Sequence, residues 1–255
     1  DAIAQLLWAE PQQDVLKEAV ETANKSDAVV IFLGEKANWS GENGSRSTIA
    51  LPKIQEDLVA ALQESGKPII LMLSSGRPLE LIRLNQMADA IVEIWQPGTK
   101  AGSAVAGILS GRTNPSGKLS ITFPQTTGQI PIYYNMRESS RPKSGHYQDI
   151  PRDALYWFGH GLSYTTYDYS PIKLSATKIR KNERLIAEVE VSNSGNVDGK
   201  ETVLWFIKDP FATISRPMKE LKSFEKKLLK SGEKAVYRFE IDPMKDLSYV
   251  DSFGE

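Results

Sequence analysis

Two hydrophobic periods divide the chain. Up to residue 124, amphipathic stretches alternate with short apolar runs; from residue 170 onward, apolar positions recur at every second residue. In PQQDVLKEAVETANKS, Val15, Ala19 and Ala23 share one helical face, as do Leu16 and Val20, and this predicts a helix from about residue 11. The run DAVVIFLG (27–34) is short and rich in β-branched residues, as a buried parallel strand requires. LPKIQEDLVAALQESGK (51–67) puts Ile54, Leu58, Ala61 and Leu62 on one face, with Pro52 near its start and Gly66 near its end. PIILMLS (68–74) reads as a second buried strand, and the turn Ser75-Gly76-Arg77-Pro78 leads into a short helix to about Leu84. ADAIVEIW (88–95) is a third strand, AGSAVAGILSG a helix of small residues and GKLSITFP (117–124) a fourth strand. The alternation predicts an α/β sandwich around a parallel sheet, with helices on both faces, because parallel strands need right-handed crossovers.

Residues 125–169 carry Pro131, Pro142, Pro151 and many aromatic side chains without a sustained period, and are expected to be an irregular connector. Beyond it, Leu185, Ala187, Val189 and Val191 alternate with Glu188 and Glu190, as in a half-buried strand. Ala235, Tyr237, Phe239 and Ile241 alternate with Arg238 and Glu240 in the same way. With TVLWFIKD between them, about six short strands are expected, near the roughly seven of an antiparallel β-sandwich. The expected organisation is an α/β domain at 1–124, a connector at 125–169 and an all-β domain at 170–255.

Composition removes several classes of function. With 31 basic against 32 acidic residues there is no electrostatic drive toward nucleic acid, and no nucleic-acid partner is expected. The cluster Lys226, Lys227, Lys230 and Lys234 reads as a solvated strand edge. No apolar run approaches the roughly 20 residues of a membrane span. The chain has no cysteine, which excludes thiolate chemistry, and its two histidines, His146 and His160, do not make a metal centre. Neither G-x-G-x-x-G, nor a phosphate loop, nor a G-x-S-x-G elbow occurs, so no cofactor is expected and Ser40, Ser74 and Ser75 are not hydrolase nucleophiles.

Ligands of open parallel sheets bind beyond the carboxyl ends of the strands. Three loops lie there: GEKANWSGENGSRS (34–47), SSGRP (74–78) and WQPGTKAG (95–102). The first is the longest and most polar, with Glu35, Trp39, Glu42 and Arg46, and Gly41 and Gly44 flank Glu42. A carboxyl there has the reach of a general acid and Trp39 offers a face for a sugar ring; the ordinary alternative is a solvated turn, which Ser-Gly-Glu-Asn-Gly builds well. Arg77, before Pro78, reads as a local cap or ion-pair partner. The aromatic stretch Tyr133, Tyr134, Tyr147, Tyr156, Trp157, Phe158, Tyr164 and Tyr167 reads as packing rather than sugar binding.

Several stretches together resemble one family. VVIFLGEKANWSGENGSRSTIALPKIQEDLVAAL, GKPIILMLSSGRPLEL and ADAIVEIWQPGTKAGSAVAGILSGRTNPSGKLSITFPQTTGQIPIYYN are similar to the second domain of family 3 glycoside hydrolases, the β-glucosidase-like enzymes. ALYWFGHGLSYTTYDYS and SRPMKELKSFEKKLLKSGEKAVYRFEI are similar to the family's passage into a fibronectin type III-like module and to that module. The resemblance implies an α/β sandwich incomplete at its N-terminus and a β-sandwich incomplete at its C-terminus. It implies retaining hydrolysis of terminal non-reducing β-D-glucosyl residues in a glucoside or β-linked oligosaccharide, in the periplasm or outside the cell. An Asp nucleophile would come from an N-terminal (β/α)8 barrel of the same parent chain, and Glu42 would be the general acid/base. Trp39, Ser40 and Arg46 would line the aglycone side, while Glu35 has a structural role as readily as a catalytic one. Xylosides are compatible substrates. Such a fragment alone is expected to be inert. A reading of another class is a carbohydrate-binding or adhesion protein that uses the same folds without catalysis.

Overall fold

In the computed structural model, which describes residues 13–137, 147–212 and 214–250, the elements follow the two periods of the sequence. Two units result. The first gathers the described residues up to 102 with 121–133 and 147–158, and the second gathers 103–120, 134–137 and 159–250.

The first unit contains α1 (Gln13–Asn24), β1 (Val29–Gly34), α2 (Lys53–Gln63), β2 (Ile69–Ser74), α3 (Ile82–Met87) and β3 (Ala90–Glu93); α4 (Ala101–Leu109) follows. The strands form a parallel sheet in the order β1-β2-β3, with Val29 opposite Ile69, Gly34 opposite Ser74 and Leu73 opposite Glu93. Central β2 is covered on both faces: Ile69, Leu71, Met72 and Leu73 are buried, as are Val59 of α2 and Leu84 of α3. Each such side chain contributes roughly 1.5–3 kcal/mol by leaving water.

Three expectations change. The run VVIFLG is not uniformly buried: Phe32 is 62% exposed and Val30 43%, because β1 is an edge of the sheet among the described residues. Pro78–Leu81 is not helical. Glu80 N–H donates to Ile49 O at 3.2 Å and residue 80 bridges residue 50, which extends this stretch and buries Leu79 and Leu81 before α3 begins. GKLSITFP does not join the sheet as a fourth strand. Phe123 bridges Tyr156 in antiparallel fashion, and Leu119 N–H donates to His160 O at 2.8 Å, so the segment satisfies its backbone on the following connector instead.

Among its described residues the second unit holds six strands: β4 (Tyr167–Tyr169), β5 (Lys173–Leu174), β6 (Leu185–Asn193), β7 (Gly199–Ile207), β8 (Glu220–Leu229) and β9 (Lys234–Ile241). One antiparallel sheet has β6 at its centre, with β9 on one side and β4 and β5 on the other; β7 and β8 make the second sheet. The alternating residues Ala187, Val189, Val191, Tyr237, Phe239 and Ile241 meet Val203, Trp205 and Leu229 in one core. Period two places these side chains on one face of each strand.

Candidate functional site

β1 and β2 end side by side, and the closeness of their ends dictates the first residue of the long loop. Gly34 has φ 155°, and a Cβ there would lie 1.9 Å from Ser74 O, so a side chain is excluded. Buried Gln55 of α2 closes a two-way amide pair with it: Gln55 Nε2 donates to Gly34 O and Gly34 N–H donates to Gln55 Oε1, each at 3.0 Å. Glu35 N–H then donates to Ser74 O at 3.0 Å. The exit direction is fixed, and it turns the Glu35 side chain inward until 1% of it is exposed.

A buried carboxylate is costly unless cations and hydrogen bonds compensate it. Two guanidiniums do so: Arg46 Nη1 lies 2.8 Å from Glu35 Oε1 and Arg77 Nε 3.1 Å from Oε2. Both arginines then reach further. Arg46 Nη2 donates to Ala50 O at 3.2 Å, and its guanidinium lies 4.2 Å from the centroid of the Trp39 ring, a cation–π contact. Arg77 Nη2 donates to Gly44 O at 2.8 Å and also to Trp39 O.

Between those two carbonyls runs the tip of the loop. A 3₁₀ turn covers Ala37–Trp39, and Gly44 N–H donates to Gly41 O at 3.0 Å, closing a turn with Asn43 at φ 61°. Asparagine tolerates that left-handed conformation. Glu42 occupies the exposed crest of this turn. Ser40 Oγ accepts from Gln96 Nε2 at 3.2 Å, which ties this loop to the one after β3.

Under the loop, β3 ends in a second carboxyl. Glu93 Oε1 accepts from Trp95 N–H at 2.7 Å, and Ser75 Oγ lies 3.4 Å from Oε2 while donating to Arg77 O at 2.8 Å. Burial pushes the Glu93 carboxyl up to about 7; the Trp95 N–H and the Ser75 hydroxyl pull the other way, and the nearby Glu35 charge adds to the rise. Trp95 itself stands at φ 50°, held by Ser74 Oγ donating to its carbonyl at 2.7 Å and by ring contact with Phe123. For a bulky residue this conformation costs roughly 1–2 kcal/mol.

Glu35, Trp39 and Arg46 are thus brought together in one cluster built on the buried Glu35 carboxylate, while Ser40 faces Gln96 and Glu42 lies outside on the crest. Arg77, expected as a local cap or ion-pair partner, instead binds residues 33 to 42 positions away. Glu93 is a further member not expected from the sequence, although its signal is there: one carboxylate in the apolar run AIVEIW. The aromatic stretch is engaged within each unit, with Tyr147 Oη donating to Gly128 O at 2.8 Å and Tyr134 packed 5.7 Å from Phe206. His146 lies outside the described residues. Burial and Lys118 lower the pKa of His160. Among the described residues no acidic and imidazole groups cluster as metal ligands, and no helix is long and apolar enough to cross a membrane.

Comparison with known proteins identifies the family of both units. Residues 2–164 match the family described as glycosyl hydrolase family 3 C-terminal domain, and residues 201–255 match the fibronectin type III-like domain. A periplasmic beta-glucosidase of Salmonella typhimurium is 42% identical over 238 residues, 90% of this chain and 31% of that protein. A beta-xylosidase of Formosa agariphila is 39% identical over 88% of this chain and 31% of its own length. Among solved structures, the beta-glucosidase from Listeria innocua in complex with glucose superposes with a TM-score of 0.91 at 40% identity, covering 97% of this chain and 35% of that one. The chain therefore spans about a third of the length of these relatives. With an α/β parallel-sheet unit and an antiparallel β unit in the order of those two matches, it belongs to glycosyl hydrolase family 3.

Proposed function

We propose that this chain is the C-terminal part of a retaining exo-β-glycosidase of β-glucosidase type and that it supplies the general acid/base, Glu42. One observation carries the proposal: an exposed carboxyl on the crest of a loop whose base is bound by a buried Glu35–Arg46–Arg77 cluster at the carboxyl ends of parallel strands. The proposal also includes the partition into an α/β domain at 1–124, a connector at 125–169 and a fibronectin type III-like domain at 170–255.

The chemistry needs two carboxyls about 5–5.5 Å apart across the anomeric carbon. An Asp carboxylate from an N-terminal barrel of the parent chain attacks that carbon while Glu42 delivers its proton to the departing glycosidic oxygen. The resulting Glu42 carboxylate then takes a proton from water, whose oxygen displaces the Asp and frees the sugar with retained configuration. Trp39 and Ser40 line the aglycone side, and Arg46 serves it through the Trp39 ring on which it stacks. The substrate is a β-glucoside or β-linked oligosaccharide with a terminal glucosyl residue; a beta-xylosidase among the relatives makes xylosides the nearest competitor. A periplasmic or secreted location is the corresponding compartment, supported by the periplasmic relative.

The test is Glu42→Ala in the full-length enzyme. For substrates with poor leaving groups, kcat/KM is expected to fall about 10²–10⁴-fold, the usual contribution of a general acid. For strongly acidic phenols it should change little, and azide should restore turnover as a β-glycosyl azide. An equal loss for all leaving groups, or loss of binding in place of turnover, would favour a non-catalytic carbohydrate-binding role.

A further inference from the structure

We infer that Arg77 is the positioning residue of the Glu42 loop: its single guanidinium gathers the two backbone carbonyls that bracket Glu42 and locks them to a buried carboxylate at the base of the loop. The inference rests on the reading of Glu42 as acid/base, and it goes further by saying what places that carboxyl.

The loop has little stiffness of its own. Gly41 at φ 106° and Gly44 flank the crest, and glycine leaves the backbone more conformational freedom than any other residue. Its geometry must be imposed from outside. Trp39 O precedes Glu42 by three residues and Gly44 O follows it by two, and both accept from Arg77 Nη2. The same guanidinium donates through Nε to Glu35 Oε2 at 3.1 Å, and Arg46 grips the other oxygen of Glu35 at 2.8 Å. Both ends of the loop therefore meet at Arg77, which stands in the turn directly after β2. The planar fork of donors is what allows one side chain to do this; an ammonium offers a point charge without that geometry.

The neighbouring residue completes the seat by its lack of a side chain. A Cβ on Gly76 would lie 2.4 Å from Ser40 Oγ and 2.5 Å from Ser40 Cβ, two residues before Glu42. The backbone of Gly76 is not in the left-handed region, so what opposes alanine there is this collision and a tight approach of 3.3 Å to Gln96 Nε2, the donor to Ser40 Oγ. Gly76→Ala thus displaces the loop without touching any charge, and Arg77→Lys loosens it without removing the charge.

The experiment measures kcat/KM of the full-length enzyme for aryl β-glucosides of graded leaving-group acidity, with wild type, Arg77→Lys, Gly76→Ala and Glu42→Ala side by side. A displacement of about 1 Å costs on the order of 10²-fold when geometry is what a group supplies. Both loop variants are therefore expected to lose about 10- to 100-fold on the poorest leaving groups and less than about 3-fold on the best, a steeper dependence on leaving-group acidity than wild type shows. A merely structural defect would lower all substrates by one factor. A parallel loss, or no loss, in Arg77→Lys overturns the inference; if that variant fails to fold, the slope of Gly76→Ala decides in the same sense. Steepening in Glu42→Ala with none in the loop variants rejects the positioning role and leaves the acid/base reading standing. A flat response of Glu42→Ala removes that reading, and this inference with it.

Discussion

Two opposed effects act on Glu93: it is largely withdrawn from water, and it is hydrogen-bonded by Trp95 N–H, a donor that favours its ionised form. Desolvation prevails and sets its pKa at about 7 against an ordinary value of 4.5. A carboxyl raised on folding stabilises the fold fully below its unfolded pKa, and that contribution fades as pH climbs through the folded value. Between pH 5 and pH 8 the enzyme should lose stability through this group, on the order of 2 kcal/mol. Glu93→Gln, which imitates the protonated carboxyl, should flatten the difference between urea midpoints measured at those two pH values. Parallel behaviour of variant and wild type would contradict it. Residue-level legibility was uneven for a physical reason. Glu35, Glu42 and Arg46 fall within one polar loop and are visible by proximity. The partnership of Glu35 with Arg77 spans 42 positions and has no period, so nothing local announces it.

At the scale of elements, the sheet transmits its geometry to the loop through the exit of β1. Gly34→Ala must place a Cβ against Ser74 O and adopt a φ that L residues rarely take. Destabilisation of at least about 2 kcal/mol is expected, at the upper end of ordinary substitutions, together with loss of the amide pair to Gln55. Chemical denaturation of the full-length variant checks it; a change below about 0.5 kcal/mol, typical of surface positions, would refute it. The helices α1, α2 and α4 and the strands β1 to β3 were legible because a 3.6-residue period and short apolar runs bounded by turn residues mark helix and strand. GKLSITFP was misread because apolar β-branched character says that a segment is extended and buried, not which backbone it pairs with. Phe123 and Leu119 find theirs in Tyr156 and His160, beyond the range of any local pattern.

For the whole molecule, the decisive arithmetic is that hydrolysis uses two carboxyls and this chain is proposed to bring one. The isolated 255 residues should turn over an aryl β-glucoside no faster than buffer, while the full-length enzyme does so readily. Robust turnover by the isolated chain, read as phenol release, would sink the two-domain arrangement. The change of period was visible in the sequence, but the two structural units do not follow it, because residues 103–120 gather with the second unit. The clamp beneath Glu42 has one more consequence, for synthesis. Translation adds roughly 5–20 residues per second, so the 42-residue separation of Glu35 and Arg77 means that Arg77 joins the chain roughly 2–8 seconds after Glu35. Glu35 enters the nascent chain as a carboxylate without its second cation and can be buried only when β2 has been delivered. The loop proposed to carry half of the chemistry thus takes its final form only after the strand that follows it has been made.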